Sequence, residues 1–452
     1  MAARFAQPTF WVLALLFACG LALRVGFVHT TKLAEPIHSD ALQYLAYASN
    51  LVDRGVYSKD TTAPPTPDSF RAPGYPMLVA LSLWIAADDG VGTDNAAYRF
   101  LLNVQAVLGA LMVPLTFALG RRFLPTWAAV VAAGAVALSP HLVSLTFYVL
   151  TETLYGLLAL AGVTAFTIAL EKRRVAWFAG SGLLLSGAFL TNSTALPLPL
   201  IFAALALTLC GFTRGSSDWR RVATHLAVFI AVFFTLPAAW SVRNAVNVPD
   251  GARTGSDRAF STMTHGIYPG WVHEDPRFRY YAYRDDPRAK EIRSSLGSFA
   301  RILWERVRER PARYLSWFLV EKPYYGWSWN ILQGEGDVYV YLTKASLYRA
   351  NALADATRRT MKLLHPLVLI ATCLGLPLCL VGLRSLRGSA LLVATPVLLA
   401  ALVVYYTAVF VVFAPWPRYS IPLRPELYLF AMWSALAVAR RVADFAGARP
   451  AT

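Results

Sequence analysis

Residues 9–29, TFWVLALLFACGLALRVGFVH, form an apolar run that leads shortly into residues 38–47, HSDALQYLAY, a polar and aromatic segment. About 20 apolar residues suffice for a helix to cross the hydrocarbon core, because each backbone N–H and C=O is then satisfied within the segment. Arg4 before the run and Leu16-Phe17-Ala18-Cys19 within it resemble a lipoprotein leader. The run continues to about Val28 and further runs follow, so it is expected to be a first transmembrane helix and not a cleaved signal.

Further apolar runs lie at about 98–119, 126–145, 147–170, 175–191, 195–212, 222–240, 363–383, 390–413 and 422–439. They predict an all-α polytopic membrane protein of about ten transmembrane helices, a single membrane domain over 1–452. Composition agrees: 56% of the residues are hydrophobic and 15% charged, against about 25% charged in soluble domains. The net charge of +16 does not point to nucleic acid, since most of the short basic clusters sit in tight loops between apolar runs. Cys19, Cys210, Cys373 and Cys379 lie inside apolar stretches and form neither a disulfide framework nor a metal-ligand spacing.

Those basic loops set orientation. Arg121-Arg122, Lys172-Arg173-Arg174, Arg220-Arg221, Arg384 with Arg387, and Arg440-Arg441 fall on one side when the spans alternate, which makes that side cytoplasmic. The two long insertions, 30–97 and 241–362, then share the outer face, ahead of C-terminal transmembrane helices over 363–452. Within the second insertion, 311–330 is apolar and aromatic but interrupted by Glu321-Lys322-Pro323. It is expected to lie at the interface with Trp317, Tyr324, Tyr325, Trp327 and Trp329 at headgroup level, or to enter deeper as a re-entrant segment.

The outer face collects the residues that carry chemistry. Ser39 is placed to cap a helix running to about Asp53, with Asp40, Tyr44, Tyr47 and Leu51 on one side. Asp40 either acts on a substrate at the membrane surface or simply favours the helix N-terminus. Arg71, in Phe70-Arg71-Ala72-Pro73-Gly74-Tyr75-Pro76, suits a phosphate because a guanidinium binds two oxygens at once, or it snorkels to lipid headgroups. Glu152 opens the fourth span and is costly near a bilayer, so it joins Asp40 in a paired-carboxylate role or forms a salt bridge to an Arg of the first loop. Arg243, after Trp240 at the end of the seventh span, and Arg418, before the last, complete three candidate phosphate clamps on one face. His265 of the second insertion lines an acceptor cleft or is a surface histidine. No glycine-rich phosphate loop, zinc spacing or Ser-His-Asp pattern is present.

Asp40 to Tyr44, the element Arg71-Ala72-Pro73-Gly74-Tyr75-Pro76, Ser139-Pro140 followed by Thr151-Glu152, Trp240-Ser241-Val242-Arg243-Asn244, and Arg418-Tyr419 with Pro422 resemble the polytopic GT-C glycosyltransferases of the protein O-mannosyltransferase and aminoarabinose transferase type, glycosyltransferase family 39 and its relatives. The likeness spans most of the chain and is strongest over 10–245. It implies a GT-C fold with two long outer loops carrying short juxtamembrane helices. It also implies inverting transfer of a sugar from a polyprenyl-phosphate donor to a lipid, glycan or protein acceptor, at the periplasmic face of a bacterial inner membrane.

In that resemblance Asp40 matches the acid of the first outer loop, a base or acceptor-positioning group, and Glu152 the acid at the start of the fourth helix. Arg71 stands where several relatives carry a Lys that binds the donor phosphate, joined by Arg243 and Arg418. Tyr44, Tyr75, His265 and Lys322 are assigned to the substrate cleft. Three departures stand out: one acid replaces an Asp-Glu pair, and both a soluble domain after the last helix and an inserted lumenal module are missing. No metal site or cofactor is implied with certainty, a divalent metal being left open. Two rival readings are a lipid or sugar transporter or flippase, with polar residues near the bilayer midplane, and a non-enzymatic envelope assembly partner.

Overall fold

The computed structural model of the chain describes residues 7–35, 37–86, 95–213, 219–272, 282–332, 334–384 and 390–447. The helices in chain order are α1 (Gln7–Thr30), α2 (Asp40–Arg54), α3 (Gly74–Ala86), α4 (Ala96–Gly120), α5 (Thr126–Leu138), α6 (Pro140–Ser144), α7 (Glu152–Lys172), α8 (Val175–Thr191), α9 (Leu198–Thr213), α10 (Trp219–Asn247) and α11 (Gly255–His265). They continue with α12 (Ala282–Asp285), α13 (Ala289–Ile292), α14 (Leu296–Glu309), α15 (Pro311–Ser316), α16 (Lys322–Trp327), α17 (Leu347–Ala350), α18 (Ala352–Arg384), α19 (Ala390–Val412) and α20 (Arg424–Gly447). The all-α polytopic class read from the sequence holds.

A helix stands at each of the ten expected spans. Among the described residues, six are long and apolar enough to cross a bilayer, within α1, α4, α7, α10, α18 and α19, and α5 with α6 forms a bent seventh. Helices α8 and α9 are apolar but shorter, and α20 is not among the candidates, so the count of ten does not follow from length and composition. Helix α8 lies so close to α10 that a Cβ on Gly182 would stand 2.5 Å from the carbonyl oxygen of Phe229. Small residues let helix backbones approach where lipid supplies no hydrophobic drive for association.

The bend between α5 and α6, of 45°, follows from Pro140, which cannot continue the hydrogen-bond ladder. The carbonyls left open by the break are taken by Arg24 of α1, whose guanidinium donates to Val136 O at 3.1 Å and Ala137 O at 3.2 Å, and also to Gly20 O of its own helix at 2.8 Å. Gly109 leaves room for it, since a Cβ there would stand 2.9 Å from Arg24 Nε. Reading the apolar runs alone missed this cation, which sits inside a span and is fully buried.

The two long insertions meet. Residues 32–33 pair antiparallel with Thr343–Ala345, Lys32 opposite Ala345 and Leu33 opposite Thr343, and Ala34 N donates to Leu342 O at 2.9 Å. A second stitch joins Ser69 to Thr254, where Ser69 N donates to Arg253 O at 3.2 Å. The end of the second insertion is also anchored in the bundle. Three consecutive carbonyls, of Trp327, Ser328 and Trp329, are held by His365 of α18 at 2.8 Å, Arg424 of α20 at 3.2 Å and His141 of α6 at 2.8 Å.

Two expectations are refined, one in each insertion. Trp317 is fully buried and donates from its indole to Gly266 O at 2.8 Å, and Trp327 and Trp329 are buried as well, so these three pack against protein and do not face lipid. A buried indole N–H needs an acceptor, and Gly266 O, the Thr407 hydroxyl and the Asp337 carboxylate provide one for Trp317, Trp327 and Trp329 where lipid would not. The residues turned outward are Leu315, Leu319, Val320 and Tyr324. Ser39 makes no capping bond; its backbone lies at φ 54°, in the left-handed region, and Asp40 opens α2 without it.

Candidate active site

Helix α2 lies against the bundle with Tyr44 and Tyr47 buried on its inner side. Asp40 begins that helix, and Arg71 meets it from the turn before α3. Proline residues flank the turn, at 73 and 76, and hold the entry stiff. The Arg71 guanidinium is spent on one turn of α2: it donates to Asp40 at 2.5 Å, to Gln43 Oε1 at 2.9 Å and to the Tyr44 hydroxyl at 3.1 Å. Tyr44 in turn packs edge-on against Tyr75, ring centroids 5.0 Å apart, and Tyr75 donates to Gln105 of α4 at 2.9 Å.

Arg418, in the 3-10 turn Pro417–Leu423 that precedes α20, reaches the other oxygen of Asp40. Its Nε stands 3.5 Å from a carboxylate oxygen of Glu152, the first residue of α7. One guanidinium thus bridges two carboxylates that are far apart in the sequence, and Glu152 and Arg418 are both buried. The salt bridge expected from Glu152 to a first-loop Arg is instead made to Arg418. Burial pushes the Asp40 carboxyl up, but Arg71, Arg418 and Arg258 pull it well below the usual carboxylate range. Asp40 rests as an anion held between cations.

Arg258 was not singled out in the sequence, because nothing local marks it. It stands one turn into α11, whose start is stitched to Ser69, two residues before Arg71, and whose end receives Ala414 N at Thr262 O, 3.2 Å, four residues before Arg418. Helix α11 therefore runs between the segments that carry the other two arginines, and the Arg258 charge acts on Asp40 and Tyr44.

The remaining candidates lie apart from this cluster. Arg243 is committed to the first insertion, donating to Asp68 O at 2.8 Å and Tyr57 O at 3.0 Å while its guanidinium lies over Tyr57 and Trp240. That grip steadies the segment leading to Arg71. His265 lies against Tyr283 with centroids 3.6 Å apart, and burial together with Arg293 and Arg284 lowers its pKa to about 4, so it is neutral at pH 7. Lys322 is buried, donates to Val411 O at 2.7 Å and lies over the Phe318 ring. Among the described residues no group of three His, Cys, Asp or Glu converges as a metal site. Each site carboxylate already faces a guanidinium, a donor set that disfavours a divalent cation.

Burial lowers the Lys322 ammonium to about 7. Above pH 7 and up to the free-lysine value of 10.5, the unfolded chain holds a proton there that the folded chain has lost. Stability therefore rises with pH across that window, by at most about 1.4 kcal/mol per unit. Thermal unfolding in detergent between pH 7 and about 10 should show a rising Tm that flattens in Lys322→Met; the same slope in both proteins would contradict this account of Lys322.

Comparison with known proteins places this geometry. The family model for dolichyl-phosphate-mannose-protein mannosyltransferase matches residues 71–240, from Arg71 into α10, ending before Arg243. The oligosaccharyltransferase of Archaeoglobus fulgidus, solved with a tethered acceptor peptide, is similar over 100% of this chain at 14% identity, with a TM-score of 0.55 and 52% of its own chain covered. The same archaeal enzyme in complex with an inhibitory peptide and a dolichol-phosphate gives a TM-score of 0.53 at 14% identity, over 99% of this chain and 53% of that one. ArnT of Cupriavidus metallidurans bound to undecaprenyl phosphate gives 0.39 at 17% identity, over 97% and 80%. The chain spans about half the length of the archaeal enzyme. The comparison with curated protein sequences returned no match. The resemblance to GT-C glycosyltransferases holds, and the fold is of that type.

Proposed function

We propose that this membrane protein of GT-C fold is a glycosyltransferase that moves a sugar from a polyprenyl-phosphate carrier to an acceptor hydroxyl at the outer, periplasmic face of a bacterial inner membrane. The observation that carries the reading is Asp40, gripped by Arg71 and Arg418 beside Glu152 at the place where both outer insertions meet the bundle. The match to a dolichyl-phosphate-mannose family model and the dolichol-phosphate held by the archaeal relative support the donor class.

In the reaction the acceptor oxygen attacks the anomeric carbon from the side opposite the phosphate, which inverts it. The new C–O bond forms as the bond from that carbon to the phosphate oxygen breaks, and the electron pair leaves with the polyprenyl phosphate. The hydroxyl proton goes to a carboxylate. Asp40, held far down in its pKa, is a weak base until an incoming phosphate competes for Arg71 and Arg418. Sharing those guanidinium groups relaxes their pull and brings Asp40 closer to the range a base needs. Arg258, whose charge acts on Asp40 and Tyr44, is the third cation for the departing phosphate, and Arg243 keeps the first insertion in place.

The test is transfer by the purified protein in liposomes, with a panel of labelled polyprenyl-phosphate hexoses and pentoses and the lipid, glycan and peptide acceptors of a bacterial envelope. One member of the panel should lose its label to an acceptor with inversion. Arg258→Gln should weaken polyprenyl-phosphate binding about tenfold, roughly the 1.5 kcal/mol of one hydrogen bond to a charged group, with little change in Tm. Movement of intact labelled donor across the bilayer without a new glycosidic bond would replace the enzyme by a transporter.

A further inference from the structure

Tyr341, of the second insertion, lies beside the segment that carries Asp40, and its hydroxyl has no task among the described residues. Its ring is buried and lies against His38, centroids 4.2 Å apart, and edge-on to Tyr148 at 5.3 Å. His38 is two residues before Asp40. The Tyr341 hydroxyl has no hydrogen-bond partner among the described residues. The groups that act on it electrostatically are Arg418, Asp40, Glu152 and Tyr44, the same residues that build the candidate active site.

The backbone around it is fixed from several sides. Leu342 O accepts from Ala34 N at 2.9 Å, and Val340 N donates to the Tyr148 hydroxyl at 3.3 Å. Asp337, four residues earlier, takes the Trp329 indole N–H at 2.5 Å, an ion pair from Arg358, and Lys362 at 3.5 Å. A loop braced this firmly leaves the phenol little freedom to turn away. A buried hydroxyl without a partner costs about 1–3 kcal/mol, and folded chains rarely keep one without a use. Phenylalanine would fill the same space without that cost.

We propose that the Tyr341 hydroxyl is a specificity contact for the transferred sugar, hydrogen-bonding a ring oxygen or hydroxyl of the glycosyl group while the arginines hold the phosphate. The inference rests on the glycosyltransferase reading above and adds a named residue for the sugar. Burial pushes the phenol pKa up, so the group stays protonated and can donate as well as accept.

Tyr341→Phe is the direct test, because it removes one oxygen. Turnover of the sugar donor identified in the liposome panel should fall about tenfold to a hundredfold, in the range of one lost hydrogen bond to a substrate. Binding of polyprenyl phosphate without a sugar should be unchanged, and Tm should hold or rise, since the orphan hydroxyl is gone. A purely structural hydroxyl would give the reverse, a lower Tm with turnover intact, and would overturn the proposal. Equal loss of affinity for the sugar-free polyprenyl phosphate would overturn it too, by assigning the hydroxyl to the phosphate. A wild-type protein that turns over no lipid-linked sugar in the panel removes the glycosyltransferase reading itself, and the sugar contact with it; turnover equal in wild type and Tyr341→Phe removes the sugar contact alone.

Discussion

Asp40→Asn is expected to reduce sugar transfer about 10² to 10³-fold, the usual effect of losing one preorganised group that acts in the transition state. The amide keeps the shape of the carboxylate but neither takes a proton nor balances Arg71 and Arg418. Freed of their anion, the two guanidinium groups turn wholly to the donor phosphate, so polyprenyl-phosphate binding should hold or tighten as turnover collapses. That opposite movement separates a catalytic carboxylate from a merely structural one, for which affinity and turnover would fall together with Tm. Near-normal transfer by Asp40→Asn in liposomes would remove Asp40 from the chemistry.

The fold was largely legible because lipid imposes its own grammar. Every apolar run in the sequence became a helix, and Pro140, cited there only as a family feature, breaks α5 from α6 as its missing N–H requires. Local pattern stops where a helix must pair its polar groups at a distance. The charges inside the bundle, Arg24 on the carbonyls of the α5 break and Arg424 beside His365, fell within or beside apolar runs and had no neighbouring signal. The tryptophans of 311–330 carried a composition typical of headgroup belts, yet tertiary packing put three of them inside.

At the site, sequence sidedness grouped Asp40, Arg71, Glu152 and Arg418, and the structure brings these four together. It leaves Arg243 on the backbone of the first insertion, because an Arg flanked by aromatic residues reads the same whether it binds phosphate or carbonyls. Arg258 and Tyr341 were missed for a related reason. Each lies near a stitch between the two insertions, Ser69 with Thr254 and Lys32 with Ala345, and a pairing so distant in sequence has no periodicity to betray it.

Arg418→Ala is expected to be the most damaging single change, because one guanidinium serves two carboxylates. It would leave Glu152 buried without its ion-pair partner and Asp40 with the Arg71 ion pair alone. Removing one partner of a buried ion pair costs about 3–5 kcal/mol, most of it the penalty of the stranded charge. Arg418→Lys should rescue little: an ammonium on a flexible stem is a point charge and cannot place separate nitrogens against Asp40 and Glu152. The stranded charge gives the decisive comparison. If the loss comes from Glu152, then Glu152→Gln in the Arg418→Ala background should restore part of the Tm, whereas Glu152→Gln alone lowers it. The two changes would then be non-additive by at least about 1 kcal/mol, within the range seen for residues in direct contact. Strict additivity in thermal unfolding would mean that the 3.5 Å approach of Arg418 to Glu152 carries no energy, and the paired-carboxylate site would reduce to Asp40 and its two arginines.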